Sequence, residues 1–153
     1  MTGTRPHQPL AVAVGCVLAL GAAAGCGVED DTEGGFGLPV RTAAGEVDVA
    51  AAPITGVLRV ESDGCFTWEQ ERQDGVTRAW VVWPDGAEQD GDRVLLVDGT
   101  PVGDGQRLSG TGAVVAAEAF ADWADPDSYL GAFGRFCEAG ERGVVVLDDV
   151  APS

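Results

Sequence analysis

The run ITGVLRVESDGCFTW, residues 54–68, decides the fold. Ile54, Gly56, Leu58 and Val60 share one face, with Thr55, Arg59 and Glu61 on the other, the period-two pattern of a strand with one buried side. Asp63-Gly64 then turns the chain, and Phe66 and Trp68 alternate with Thr67 and Glu69. Asp tolerates a left-handed backbone and Gly adopts it freely, so strand, Asp-Gly, strand is a hairpin signature. The dipeptide occurs six times, at Asp63, Asp74, Asp85, Asp90, Asp98 and Asp104, in a chain with no Asn to share the duty.

Working outward, residues 76–83 are β-branched and aromatic and close on Pro84-Asp85-Gly86. Residues 93–97 and 106–115 supply two further strands, and Gly110 and Gly112 inside the second predict a bulge or sharp bend. The period then changes. Ala116, Ala119, Phe120 and Trp123 recur at helical spacing. Asp125-Pro126 reads as an N-cap with proline in the first helical position. Tyr129, Leu130, Phe133, Phe136 and Cys137 line one face of a second short helix, weakened by Gly131 and Gly134. Residues 143–147 form a final buried strand without alternation. The expected fold is mainly β with a short helical segment, a small OB-like β-barrel, with a β-sandwich as the alternative.

Residues 1–25 read as a lipoprotein signal peptide. Arg5 precedes an apolar run of about 15 residues, Leu10 to Ala24, shorter than the roughly 20 that a spanning helix needs. The run ends in Ala23-Ala24-Gly25-Cys26, which resembles the lipobox of bacterial lipoproteins, with Ala23 where that motif usually carries Leu. The resemblance implies lipid attachment at Cys26 and a location on the outer face of the cytoplasmic membrane. Residues 26–52 read as the lipidated Cys followed by an acidic flexible tether, from Glu29-Asp30-Asp31-Thr32-Glu33 to Ala50-Ala51-Ala52. Residues 53–150 make the β-rich globular domain. Taken together the chain resembles the secreted lipoproteins abundant in actinobacteria. Over the domain the likeness is general, in Gly56, Leu58, Gly64 and Cys65 and in the turn after Trp83. It implies no activity and transfers no residues.

The charge balance excludes whole classes of function. The 153 residues carry 9 basic residues, all Arg, against 25 Asp and Glu, for a net charge of -16. No basic surface exists to collect phosphates, so nucleic acid is not an expected partner. The absence of Lys and Asn and the single Ile (Ile54) fit a high-GC genome. The one histidine, His7, lies in the expected signal peptide, so histidine triads, Cys–His dyads and lysine Schiff bases are unavailable to the mature chain.

Cys65 and Cys137, an even pair in an exported small domain, predict a structural disulfide rather than a redox pair. Trp68, Trp80 and Trp83 are core candidates and also the candidates for ligand contact by stacking. Trp80 and Val82 share one face of their strand and Ala79, Val81 and Trp83 the other, which places Trp83 at a rim beside the loop 84–92 if there is one core. The acids of that loop lack calcium-loop register, so no metal is expected, nor any cofactor. No catalytic residue is assigned, for want of a nucleophile elbow, a phosphate loop or a dinucleotide fingerprint. The expected function is a lipid-anchored, non-catalytic binding or scaffolding module of the cell envelope. Its partners are the membrane, through the lipid, and an envelope protein or glycan. The alternatives are a carboxylate-based envelope glycan hydrolase and a passive structural or stress lipoprotein.

Overall fold

The computed structural model describes residues 37–153 apart from 46 and 74. A one-turn helix α1 (Arg41–Ala44) precedes strands β1 (Ala52–Val60), β2 (Phe66–Arg72) and β3 (Gly75–Val82). Three short strands follow, β4 (Glu88–Asp90), β5 (Arg93–Leu95) and β6 (Pro101–Val102). The chain continues through β7 (Arg107–Val115), a 3-10 turn at Ala117–Ala119, α2 (Tyr129–Phe136), α3 (Ala139–Arg142) and β8 (Val144–Pro152). Every glycine of the six Asp-Gly pairs has a positive φ, between 64° and 131°, the conformation for which the dipeptide is suited.

Strands β1-β2-β3-β8-β7 close into a barrel, and β4-β5-β6 form a separate small sheet. All barrel pairings are antiparallel except β3 with β8. Counted in chain order, the five barrel strands run 1-2-3-5-4, the Greek-key order of an OB-like barrel. The closure rules out the sandwich. The short sheet stands between the third and fourth barrel strands, and the helices between the fourth and fifth.

Two cores explain the sequence pattern. Ile54, Leu58, Trp68, Ala79, Val81, Trp83, Leu108, Val145 and Leu147 pack inside the barrel, joined by Val94 and Val102 of the small sheet and by Leu96 just after β5. Trp80, Val82, Val144 and Val146 point the other way and are covered by Phe120, Leu130, Cys137 and Ala139 of the helical segment. Ala79–Val82 of β3 and Val144–Leu147 of β8 are therefore buried on both faces, which is why Val144–Leu147 shows no alternation. The disulfide Cys65–Cys137 (S–S 2.05 Å) fastens the helical layer to the end of the β1–β2 loop.

Glycine marks the tightest approaches. A Cβ on Gly110 would lie 2.0 Å from the Asp149 carbonyl oxygen, and one on Gly112 2.4 Å from that of Val146. The expected irregularity falls between them, where Gly112 faces Leu147 but Thr111 faces Asp149, leaving Asp148 as the extra residue of a bulge. A Cβ on Gly134 would meet the rings of Trp123 (2.6 Å) and Trp80 (3.0 Å). The helix thus gives up propensity at this glycine to sit against two indoles.

Two expectations need correction. The helical period over 116–123 yields only the 3-10 turn and successive i→i−3 bonds, from Ala119 N–H to Ala116 and on to Ser128 N–H to Asp125. The N-cap is Ser128, whose Oγ accepts from Gly131 N–H at 3.1 Å, while Asp125 accepts from Asp127 N–H and closes the preceding turn. The folded body also begins before residue 53, against the reading of 26–52 as flexible throughout. Leu38 is buried in the barrel core, Val40 pairs with Trp83, and Tyr129 Oη donates to the Gly37 carbonyl at 2.8 Å. The alanine- and acid-rich flanks masked the apolar Leu38-Pro39-Val40 between them. Cys26 and residues 1–36 lie outside the described residues.

Two stability measurements check this account. Gly110→Ala is expected to lose about 1–3 kcal/mol in urea unfolding, whereas Gly140→Ala, whose Cβ finds its nearest neighbour at 3.5 Å, loses nothing. Equal effects would contradict the close strand approach. Reducing the disulfide, which spans 72 residues, is expected to cost about 4 kcal/mol on the loop-closure argument, read by urea unfolding with and without reductant.

Candidate functional site

The three candidate tryptophans do not form a binding surface. Trp68 and Trp80 are each 1% exposed and Trp83 is 0% exposed. The expectation of a stacking platform, and of Trp83 at a rim, is corrected by the second core: opposite faces of β3 are both interior. Phe66 meets Trp83 edge-on at 6.1 Å and Phe133 meets Trp80 edge-on at 5.7 Å. Trp68 Nε1 sits where a Cβ on residue 56 would lie, 2.2 Å away, so Gly56 makes room for the ring. The acids of the 84–92 loop do not converge. Asp85 accepts from Thr42 N–H and Asp90 pairs with Arg93. Among the described residues no three His, Cys, Asp or Glu side chains come together as metal ligands.

The face over β2 and β3, where OB barrels commonly bind ligands, is taken up internally. α2 covers Trp80, and an ion-pair ladder runs beside it. Arg59 donates to Glu69 at 2.9 Å, Arg78 bridges Glu69 (2.8 Å) and Glu61 (3.5 Å), and Arg142 joins Glu61 (3.3 Å) to Glu138. The hydrogen bond from Arg59, then that from Arg78, holds the Glu69 carboxyl below its ordinary range. Glu69 in turn raises Arg59, and Glu138 raises Arg142. Three arginines are thereby committed to carboxylates of the same chain.

The open site lies where β3 and β8 part. Their parallel ladder ends at Val82↔Val146. The next β3-side residue with the right orientation is Pro84, which has no N–H to donate. Trp83 meanwhile exchanges bonds with the 39–41 segment, its N–H donating to Pro39 at 2.8 Å and its carbonyl accepting from Arg41 at 2.9 Å. Among the described residues β8 continues to Pro152 paired only with β7. A groove of about 520 Å³ opens there. Pro84, Ala87, Leu96, Val97 and Val150 give it an apolar lining, with Val97 66% exposed. Around them stand Asp85, Asp98, Asp148 and Asp149 against one cation, Arg41, which pairs with Asp148 at 3.3 Å. Asp98 accepts the Thr100 N–H at 2.9 Å, and hydrogen bonding from Thr100 keeps its carboxyl below the ordinary range. Asp149 accepts from Thr111 Oγ1.

None of these groove residues was singled out as a site from sequence. Two signals were present. Leu95-Leu96-Val97 is an apolar triplet before a turn, so alternation must leave one side chain in solvent, and Asp148-Asp149 interrupts an otherwise apolar strand. Comparison with protein-family models, curated proteins and solved structures gives no match, so the site stands on its geometry. That geometry offers an apolar contact area with acceptors at its rim.

The Glu69 pairing has a pH signature. Its folded pKa is below the unfolded value of 4.5. The stabilisation is fully present above that value and is lost as pH falls through the lower folded one. Urea unfolding between about pH 3 and 7 is expected to show a shallower acid loss for Glu69→Gln than for the wild type. Identical slopes would remove the role assigned to Glu69.

Proposed function

We propose that the protein is a lipid-anchored, non-catalytic binding module of the cell envelope, held at the outer face of the cytoplasmic membrane through Cys26. The groove between β8 and the β5–β6 hairpin is its binding site. The observation that carries this reading is the groove itself, apolar within and acidic at the rim, on a disulfide-fastened barrel. An apolar concavity with a few convergent polar groups is the usual form of a binding site. The carboxylates support binding over hydrolysis, because Asp85, Asp98, Asp148 and Asp149 each accept a hydrogen bond or ion pair within the chain. A carboxylate pair that cleaves glycosides needs one member kept protonated as the acid. The signal-like residues 1–25 and the Ala23-Ala24-Gly25-Cys26 motif support the anchored location.

Cys26→Ser is expected to move the protein from the membrane to the soluble extracytoplasmic fraction and to abolish the lipid mass. Unchanged membrane retention would end the lipid reading. For the groove, a photo-crosslinking residue at Val97 is expected to capture an envelope component in intact cells, several-fold more than one at Val76, which is 61% exposed on β3. Equal capture at both positions would remove the groove as the site.

A further inference from the structure

We propose that the groove takes an extended, basic segment of a partner polypeptide, which adds as a strand to the free edge of β8. The proposal rests on the binding-module reading above and names the occupant. Its first support is the backbone. Arg107 accepts the Ser153 N–H at 3.1 Å, and the register pairs Ser109 with Ala151 and Thr111 with Asp149. Antiparallel ladders alternate bonded and non-bonded pairs, so Val150, opposite Gly110, turns its N–H and C=O away from β7. On that side β3 has already ended, and among the described residues no strand pairs there with β8 beyond Val146. The Val82↔Val146 pairing still engages Leu147, so residues 148–152 present the free edge, roughly 17 Å at about 3.3 Å per residue, enough for a peptide of about five residues. Such an edge is a template for strand addition, in which main-chain bonds supply affinity and side pockets supply selectivity.

The second support is what flanks the edge. Asp148, Asp149 and Val150 belong to both the edge and the groove. An added strand would place alternate side chains over Leu96, Val97 and Pro84 and the others toward the rim. Four Asp against one Arg there favour Lys or Arg at those outward positions.

Charge also decides between occupants. The chain's own segment before Gly37 contains Glu29-Asp30-Asp31-Thr32-Glu33, and a second copy brings the same net charge of -16, so both are repelled by the rim. The bulge at Asp148, the paired acids and Pro152 guard the edge against like copies while leaving it open to a cationic strand. Arg41 competes with an incoming cation for Asp148, so its removal should strengthen binding.

The test uses the full chain purified in detergent and a fluorescent eight-residue peptide of alternating Lys and Val. Comparison peptides carry Glu for Lys, or N-methylated Val residues that keep charge and side chains but lose backbone donors. The expected result is binding at least ten-fold tighter for the Lys peptide than for either comparison peptide. Binding should weaken with salt, weaken at least ten-fold in Val97→Asp, and strengthen in Arg41→Ala. Val150→Pro, which removes the edge N–H and leaves the β7 ladder its donors, should also lose at least ten-fold. Equal binding of the N-methylated peptide would reduce the contact to ionic adhesion and overturn the proposal. So would no binding of the Lys peptide, or dimerisation of the chain through β8. If Val97 still captures an envelope component while the Lys peptide fails, or if the captured component is a glycan, strand addition falls and the binding-module reading survives. If Val97 captures nothing beyond the Val76 level, the module reading falls with it.

Discussion

The parallel pairing of β3 with β8 is the contact on which the rest of this molecule depends. It closes the barrel between the first three strands and the last two, and it does so with two stretches, Ala79–Val82 and Val144–Leu147, that are apolar on both faces. A strand buried on one face needs only a barrel interior. Val144–Leu147 and Ala79–Trp83 need a second cover as well, and the segment 116–143 supplies it. The helical layer is short and glycine-containing because it is shaped to that outer face, with Gly134 against Trp80 and Trp123. The disulfide between Cys65 and Cys137 then ties that cover to the start of β2.

The same pairing creates the groove by ending early. Pro84 cannot extend the ladder, the small sheet leaves from β3, and β8 runs on along β7 with a bulge at Asp148. The divergence leaves apolar side chains from the 84–87 turn and the β5–β6 hairpin uncovered beside a strand edge. The surface that OB-like barrels commonly use is meanwhile filled by α2 and by the Arg59–Glu69–Arg78–Glu61–Arg142 ladder. Binding capacity has therefore moved from the middle of the sheet to the place where two strands separate. The acidic composition acquires a local meaning there, since four of the aspartates stand around one groove with a single arginine.

Much of the barrel was legible because its signals are local. Alternation in 54–60 and 66–69, the Asp-Gly turns, and Gly110 and Gly112 each report backbone geometry within a few residues. The exposure of the tryptophans is not legible in this way, because period-two alternation tells which side chains share a face and not how many faces are covered. Alternation puts Trp80 and Trp83 on opposite sides, as the structure has them, but it does not reveal that both sides face a core. Helical spacing over 116–123 was likewise a true apolar pattern, but Phe120 reaches its pocket from a 3-10 turn. The start of the body has no local signal because Leu38 and Val40 pack beside Trp83, forty-odd residues away.

The sequence by itself determined the turns, the five barrel strands though not the length of the last, the bulge, the pairing partner of each structural cysteine and the sign of the surface. These follow from φ preferences, side-chain alternation and charge, which belong to neighbouring residues. The short strands at 88–90 and 101–102 and the run of β8 on to Pro152 had no local signal. Only the tertiary structure decided that both faces of Ala79–Val82 and Val144–Leu147 are interior, that residues 38–41 dock beside Trp83, and that Asp85, Asp98, Asp148 and Asp149 share one groove. Each of those facts depends on which strand stands next to which. Strand order is set by the free energy of closing the whole barrel, a property that no stretch of a few residues carries.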